Sequence, residues 1–203
     1  MLTIHNFERS GRGLRIAWLC EEMGLPYALR LFGYPPPADY LALHPLGNVP
    51  FLEDGEVKIH ESVAIALHIA SRYGPTPLLP PLTHPDYARV LELTVFSEAS
   101  FGGLLNTLMG AHFMAPEGEK QNWSIRGATM RCEQQLGYLE ARLGDRSYLV
   151  GDELTLADIA IATALGVWRG ALGRDIPPKL AAYRDRLLQR PAYQRAAKAN
   201  GNI

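Results

Sequence analysis

Apolar residues change their spacing several times along this chain, and each change predicts a new element. Leu2 and Ile4 alternate with polar neighbours, the two-residue period of a short strand. Residues 5–12 read as a polar loop containing Gly11. Leu14, Ile16, Ala17, Leu19, Cys20 and Met23 then trace one helical face, stopped by Gly24 and Pro26. Residues 27–32 read as a second strand, and two strands flanking a helix predict a parallel, right-handed βαβ unit. Tyr34-Pro35-Pro36-Pro37 is stiff and extended, and residues 38–43 are long enough for one or two helical turns. Residues 51–53 and 56–59 flank Asp54-Gly55, which predicts a two-residue hairpin. Helical spacing returns over residues 63–73 and closes at Gly74-Pro75.

Prolines at 75, 77, 80 and 81 interrupt the pattern as no helix or central strand would tolerate, and residues 76–84 are expected to be a linker. Beyond it only helical spacing appears, over residues 85–112, 117–143, 156–169, 178–189 and 192–198, with Gly102-Gly103 marking a kink. Thr155-Leu156-Ala157-Asp158 fits a capping box with Asp in place of Glu, and Leu154 and Ile159 fit the accompanying hydrophobic staple. The expected organisation is an α/β domain over residues 1–75, ordered βαβ-α-ββα, followed by an all-α bundle over residues 85–203.

Composition adds exclusions. Hydrophobic content of 47% and charged content of 20% suit a globular chain with a substantial core. A formal net charge of −1 gives no reason to expect nucleic acid or an anionic membrane as partner. No apolar run approaches the roughly 18 residues of a membrane span. The first residues lack the basic start and apolar core of a signal peptide. Cys20 and Cys132 form no Cys-x-x-Cys pair, which fits two free thiols in a reducing cytoplasm. The six histidines show no ligand spacing, so no metal is expected.

Two stretches point to chemistry. Asn48-Val49-Pro50-Phe51-Leu52 is an apolar, strand-like run with a proline inside it, which belongs at a strand start or special turn. It predicts a cis Val49-Pro50 bond and a Val49 backbone able to pair with an extended peptide as an added strand. Glu61-Ser62 opens the helix that follows, and a helix N-terminus attracts anions through its free N–H groups and dipole.

These motifs, with the run from Ser10 to Tyr27 and with Thr155-Leu156-Ala157-Asp158, resemble the glutathione S-transferase family over nearly the whole chain. The resemblance implies a thioredoxin-like first domain, glutathione as co-substrate without a metal, a small electrophile as second substrate, and a two-fold homodimer. It implies that Val49 holds the cysteinyl part through its backbone, with Pro50 setting the geometry. Ser62 would take the γ-glutamyl carboxylate and Glu61 its ammonium. Asn48 stands where many relatives carry Lys or Gln, and His44 is a candidate to replace that cation. A thiol of pKa near 8.5 is only a few per cent ionised at neutral pH. Lowering the pKa by about two units takes roughly 2.7 kcal/mol. Ser10, at the helix entry, is the first candidate to supply this by hydroxyl donation, and Arg12 the second, by charge. The chain departs from its relatives elsewhere: Asn6 or Phe7 stands where tyrosine-type members have Tyr, and Arg12-Gly13 where many bacterial members have Ser or Cys. Phe96, Phe101, Met109, His112, Phe113 and Trp123 are expected to be mostly core, with some lining the electrophile pocket. The implied activity is thiol conjugation. The alternatives are a glutathione-dependent isomerase or peroxidase on the same site, or a non-catalytic adaptor for a protein partner.

Overall fold

In a computed structural model describing residues Met1–Ile203, the first strand, β1 (Leu2–Phe7), leads into helix α1 (Gly11–Met23) and strand β2 (Tyr27–Phe32). β1 and β2 pair in parallel from Leu2↔Tyr27 to Phe7↔Phe32. That pairing carries the strand through His5 and Asn6, where alternation alone predicted loop. Tertiary pairing overrides a weak local pattern there. α1 ends at Gly24 (φ 65), whose N–H reaches the carbonyls of Cys20 and Glu21. A left-handed C-cap of this kind favours glycine.

A short helix, α2 (Ala38–Leu43), precedes the hairpin of β3 (Phe51–Asp54) and β4 (Val57–His60), and α3 (Ser62–Arg72) follows. The sheet order is β2-β1-β3-β4, with β3 antiparallel to both neighbours. Together these elements form the expected thioredoxin-like domain. The hairpin loop is Gly55-Glu56, one residue later than predicted, because Asp54 pairs with Val57 within the strands. Asp54 stays in the strand because its carboxylate is occupied, accepting from Tyr73 Oη at 2.6 Å and lying 2.9 Å from His68 Nε2. Gly55, at φ 61, takes the turn instead.

Two compact units result, Met1–Pro81 together with Leu188–Ile203, and Leu82–Leu187. This division differs from the expected boundaries of 1–75 and 85–203, because the last helix, α9 (Pro191–Ala199), belongs with the first unit. It packs on α1. The Trp18 and Tyr193 rings meet edge-on at 5.0 Å, and Arg190 grips Glu22 through Nε (2.6 Å) and Nη2 (2.8 Å). Those bonds hold the Glu22 carboxyl below its usual range despite burial, which pushes the other way.

The second unit is helical, with α4 (Tyr87–Phe96), α5 (Gly103–Met114), α6 (Trp123–Leu143), α7 (Leu156–Gly166) and α8 (Pro178–Leu188). The expected kink is a π-helical turn at Ser97–Gly102 between α4 and α5. A Cβ at Gly102 would come within 2.8 Å of the Ser97 carbonyl, so the wide turn excludes larger residues there. The capping box is present at α7. Asp158 is fully buried and accepts from Thr155 N–H (2.9 Å), Thr155 Oγ1 (2.9 Å), Leu149 N–H (2.9 Å) and Tyr183 Oη (2.8 Å). Burial pushes its carboxyl pKa up, and the four donors oppose that push. Of the aromatic residues expected in the core, Phe101 is fully buried, whereas Phe113 and Trp123 are 63% and 81% exposed. No helix is long and apolar enough to cross a membrane.

Candidate functional site

Strand register decides where the candidate residues meet. Phe51 pairs with His5 on one side and with His60 on the other. Three segments therefore reach the same end of the sheet: the exit of β1 with its loop into α1, the approach to β3, and the exit of β4 into α3. Ser10 and Arg12 lie on the first, Asn48, Val49 and Pro50 on the second, Glu61 and Ser62 on the third.

On the approach to β3 the Val49-Pro50 bond is cis, as expected. Pro50 is buried and Val49 half-buried. Neither peptide group of Val49 enters the chain's own backbone hydrogen bonding, so one donor and one acceptor remain for an extended ligand. The Asn48 carbonyl accepts from Tyr40 Oη at 2.5 Å, and Asn48 Oδ1 lies 2.6 Å from His44 Nε2. His44 itself is 5% exposed and stacks on Phe51 at 5.1 Å. Its place is beneath Asn48, holding that amide, rather than out at a ligand as a substitute cation.

At the exit of β4, Glu61 adopts φ 72, ψ 107 as the N-cap of α3. A non-glycine residue at positive φ costs about 1–3 kcal/mol and tends to mark functional sites. Its carboxylate is exposed, nearest to His60 Nδ1 at 3.6 Å. Ser62 is the first helical residue and is buried. Arg15 Nη1 donates to Ser62 Oγ at 2.9 Å, from a side chain only 2% exposed. The helix N-terminus thus has a buried guanidinium bonded to its first side chain, and its free N–H groups and dipole favour an anion there. Sequence reasoning missed Arg15. The available signal was a single cation inside the apolar run Leu14–Cys20, where burial is costly unless the charge is partnered.

Ser10 is the N-cap of α1, yet its hydroxyl makes no capping bond. The ordinary role of a helix-entry serine is therefore unfilled, and the O–H remains available as a donor. Arg12 is half-buried on the first turn of the same helix. Asn6, the first-strand position, is fully buried and donates from Nδ2 to Asn200 Oδ1 at 2.8 Å. A Cβ at Gly13 would overlap the Asn6 side-chain amide, so these two departures from the expected pattern are one feature. Cys20 is buried in α1, its thiol pushed up to about 12 chiefly by burial, and it is no nucleophile at neutral pH. What the sheet end offers is an unpaired strand backbone, a cation-backed helix N-terminus and a free hydroxyl. That set suits a small extended peptide carrying a carboxylate and a group needing one hydrogen bond.

Comparison with known proteins follows the same lines. Residues 10–72 match the family model described as glutathione S-transferase, N-terminal domain, and residues 109–191 match glutathione S-transferase, C-terminal domain. Glutathione S-transferase GstB of Escherichia coli strain K12 is 31% identical, over 96% of this chain and 97% of that protein. Glutathione S-transferase 3 of Zea mays is 30% identical, over 98% of this chain and 94% of its own length. The theta class glutathione S-transferase of Xanthomonas axonopodis pv. citri, solved with glutathione bound, superposes with a TM-score of 0.80 at 29% identity, covering 96% of each chain. The nitrogen regulation fragment of the yeast prion protein Ure2p shares the fold, with a TM-score of 0.84 at 22% identity, over 97% of this chain and 96% of the other.

Proposed function

Because the chain belongs to the glutathione S-transferase family, we propose that it binds glutathione at this sheet end and transfers the thiol to a small electrophile. The observation that carries the reading is the buried pair at the head of α3. Ser62, backed by the Arg15 guanidinium at 2.9 Å, follows the strand end where His60 pairs with Phe51, and the unpaired Val49 backbone leads into that same Phe51. The γ-glutamyl carboxylate binds the Ser62 N–H and hydroxyl, with Glu61 meeting the ammonium. The cysteinyl part pairs with the Val49 backbone as an added strand, and Asn48 donates to the peptide. The thiol gives its proton to solvent, and the Ser10 hydroxyl donates to the resulting thiolate. The thiolate then forms the C–S bond with the electrophilic carbon, whose leaving group departs with the bonding pair. Arg12 contributes positive charge at the same helix entry. The chain acts in this reading as a cytoplasmic homodimer, in keeping with two unbridged cysteines in a reducing compartment.

A second reading, a glutathione binder or adaptor without turnover, draws on Asn6. That side chain fills the first-strand position and is committed to Asn200, so no reactive hydroxyl comes from there. A glutathione-dependent isomerase or peroxidase would use the same thiolate. Thermal shift and an aromatic-halide conjugation assay separate the transferase, the binder and the adaptor. Glutathione is expected to raise the melting temperature, and Ser62→Ala to weaken binding about tenfold or more, the equivalent of about 1.4 kcal/mol. Stabilisation with no conjugation of any aryl halide or epoxide would leave the binder reading standing. No stabilisation at millimolar glutathione would remove the transferase and the binder and leave the adaptor.

A further inference from the structure

The loop that presents Ser10 is held by a segment almost two hundred positions away in the sequence. The Ser10 carbonyl accepts the first helical N–H of α1, from Leu14 at 3.1 Å, and also the side-chain amides of Asn6 and Asn200, each at 3.3 Å. The same Asn200 accepts from Asn6 Nδ2 at 2.8 Å, and its backbone carbonyl accepts Arg9 N–H at 3.0 Å. Arg9 sits at φ 63 and donates from Nε to the Gly201 carbonyl at 3.0 Å. Asn202 closes the cluster, its Oδ1 accepting from Asn200 Nδ2 at 2.8 Å and its Nδ2 donating to the Arg9 carbonyl at 3.5 Å. Asn6 and Asn200 are both fully buried.

We propose that Asn200, with Asn6, is a positioning residue that fixes the Ser10 peptide and so aims the Ser10 hydroxyl at the glutathione sulfur. The proposal rests on the reading of Ser10 as thiolate donor. Three donors on one carbonyl leave the Ser10 peptide little freedom, and only the rotation about its Cα–Cβ bond stays open. A helix start without a side-chain cap and with a left-handed residue just before it would otherwise fray. Buried amide pairs hold such geometry well, because each unmet donor or acceptor in the interior is costly. The glycine at position 13 belongs to the device, since it supplies the room Asn6 needs.

The test is the pH dependence of the bound thiolate's ultraviolet absorbance, read alongside glutathione affinity. Ser10→Ala sets the reference, with the bound-thiol pKa expected to rise by about one unit or more. Asn200→Ala is expected to move the pKa in the same direction by about half a unit or more while changing glutathione affinity less than about threefold. The double variant is expected to match Ser10→Ala alone, because the clamp acts only through that hydroxyl. Asn202→Ala is exposed and uncharged, so it serves if Asn200→Ala does not fold, and a smaller shift in the same direction is expected. A shift in Ser10→Ala with wild-type curves in folded Asn200→Ala and Asn202→Ala would overturn the clamp alone. With Asn200→Ala unfolded, a wild-type curve for Asn202→Ala is enough to overturn it. A wild-type curve for Ser10→Ala would overturn the thiolate reading and the clamp with it.

Discussion

Gly13 and Asn6 illustrate how a residue's meaning depends on its neighbour. Read singly, each is a departure from the reactive pattern of related chains. In the fold they interlock, the glycine leaving space that the asparagine fills. Gly13→Ala is therefore expected to destabilise the protein by about 1–3 kcal/mol, the usual cost of overpacking a closed site. Asn6→Ala in the same chain should relieve much of that loss, and the coupling would appear as non-additivity in denaturant midpoints. Independent, additive losses would contradict the interlock. At this scale the sequence was informative wherever a residue's place follows from its local backbone: the cis proline at 50, the helix start at Glu61-Ser62, the serine at the entry to α1. It was silent on Arg15 and Asn200, whose roles depend on what the fold brings opposite them.

The elements were legible from periodicity, and their edges less so. Asp54 looked like a turn residue because Asp-Gly is a strong hairpin signal. In the fold its carboxylate is held by Tyr73 and His68 and lies 3.2 Å from Arg72 Nε, and the turn moves one residue on. The capping box at α7 was read correctly but undervalued. An N-cap contributes about 0.5–2 kcal/mol. Asp158 also serves Leu149 and Tyr183, well outside its own helix start. Asp158→Ala leaves four buried donors unmet, so the expected cost is about 3 kcal/mol or more. Urea denaturation measures it, and a loss under about 1 kcal/mol would reduce Asp158 to a simple cap.

At the scale of the whole molecule, the hydrophobic pattern predicted α9 as a helix but could not name its partner. A face bearing Ala192, Ala196 and Ala197 states only that something packs there. The partner is α1, far away in sequence, and the choice is made by Trp18, Glu21 and Glu22 meeting Tyr193, Arg195 and Arg190. The proposed homodimer belongs to this scale as well. Homo-oligomers most often close as two-fold pairs. Light scattering at micromolar concentration is expected to give twice the chain mass, and a monomer mass would count against it.

The pairing of α1 with α9 also constrains how the protein is made. A ribosome delivers the sheet before the whole helical unit, and Leu188–Ile203 only after both. Domains emerging in order ordinarily fold in order. Here the first unit stays unfinished until α9 has emerged, with Trp18 and the flank of α1 lacking their cover. The middle unit, continuous in sequence, is free to fold ahead of it. The nascent chain is most exposed to chaperones and to aggregation in that interval, and the emergence of α9 completes the unit that began first.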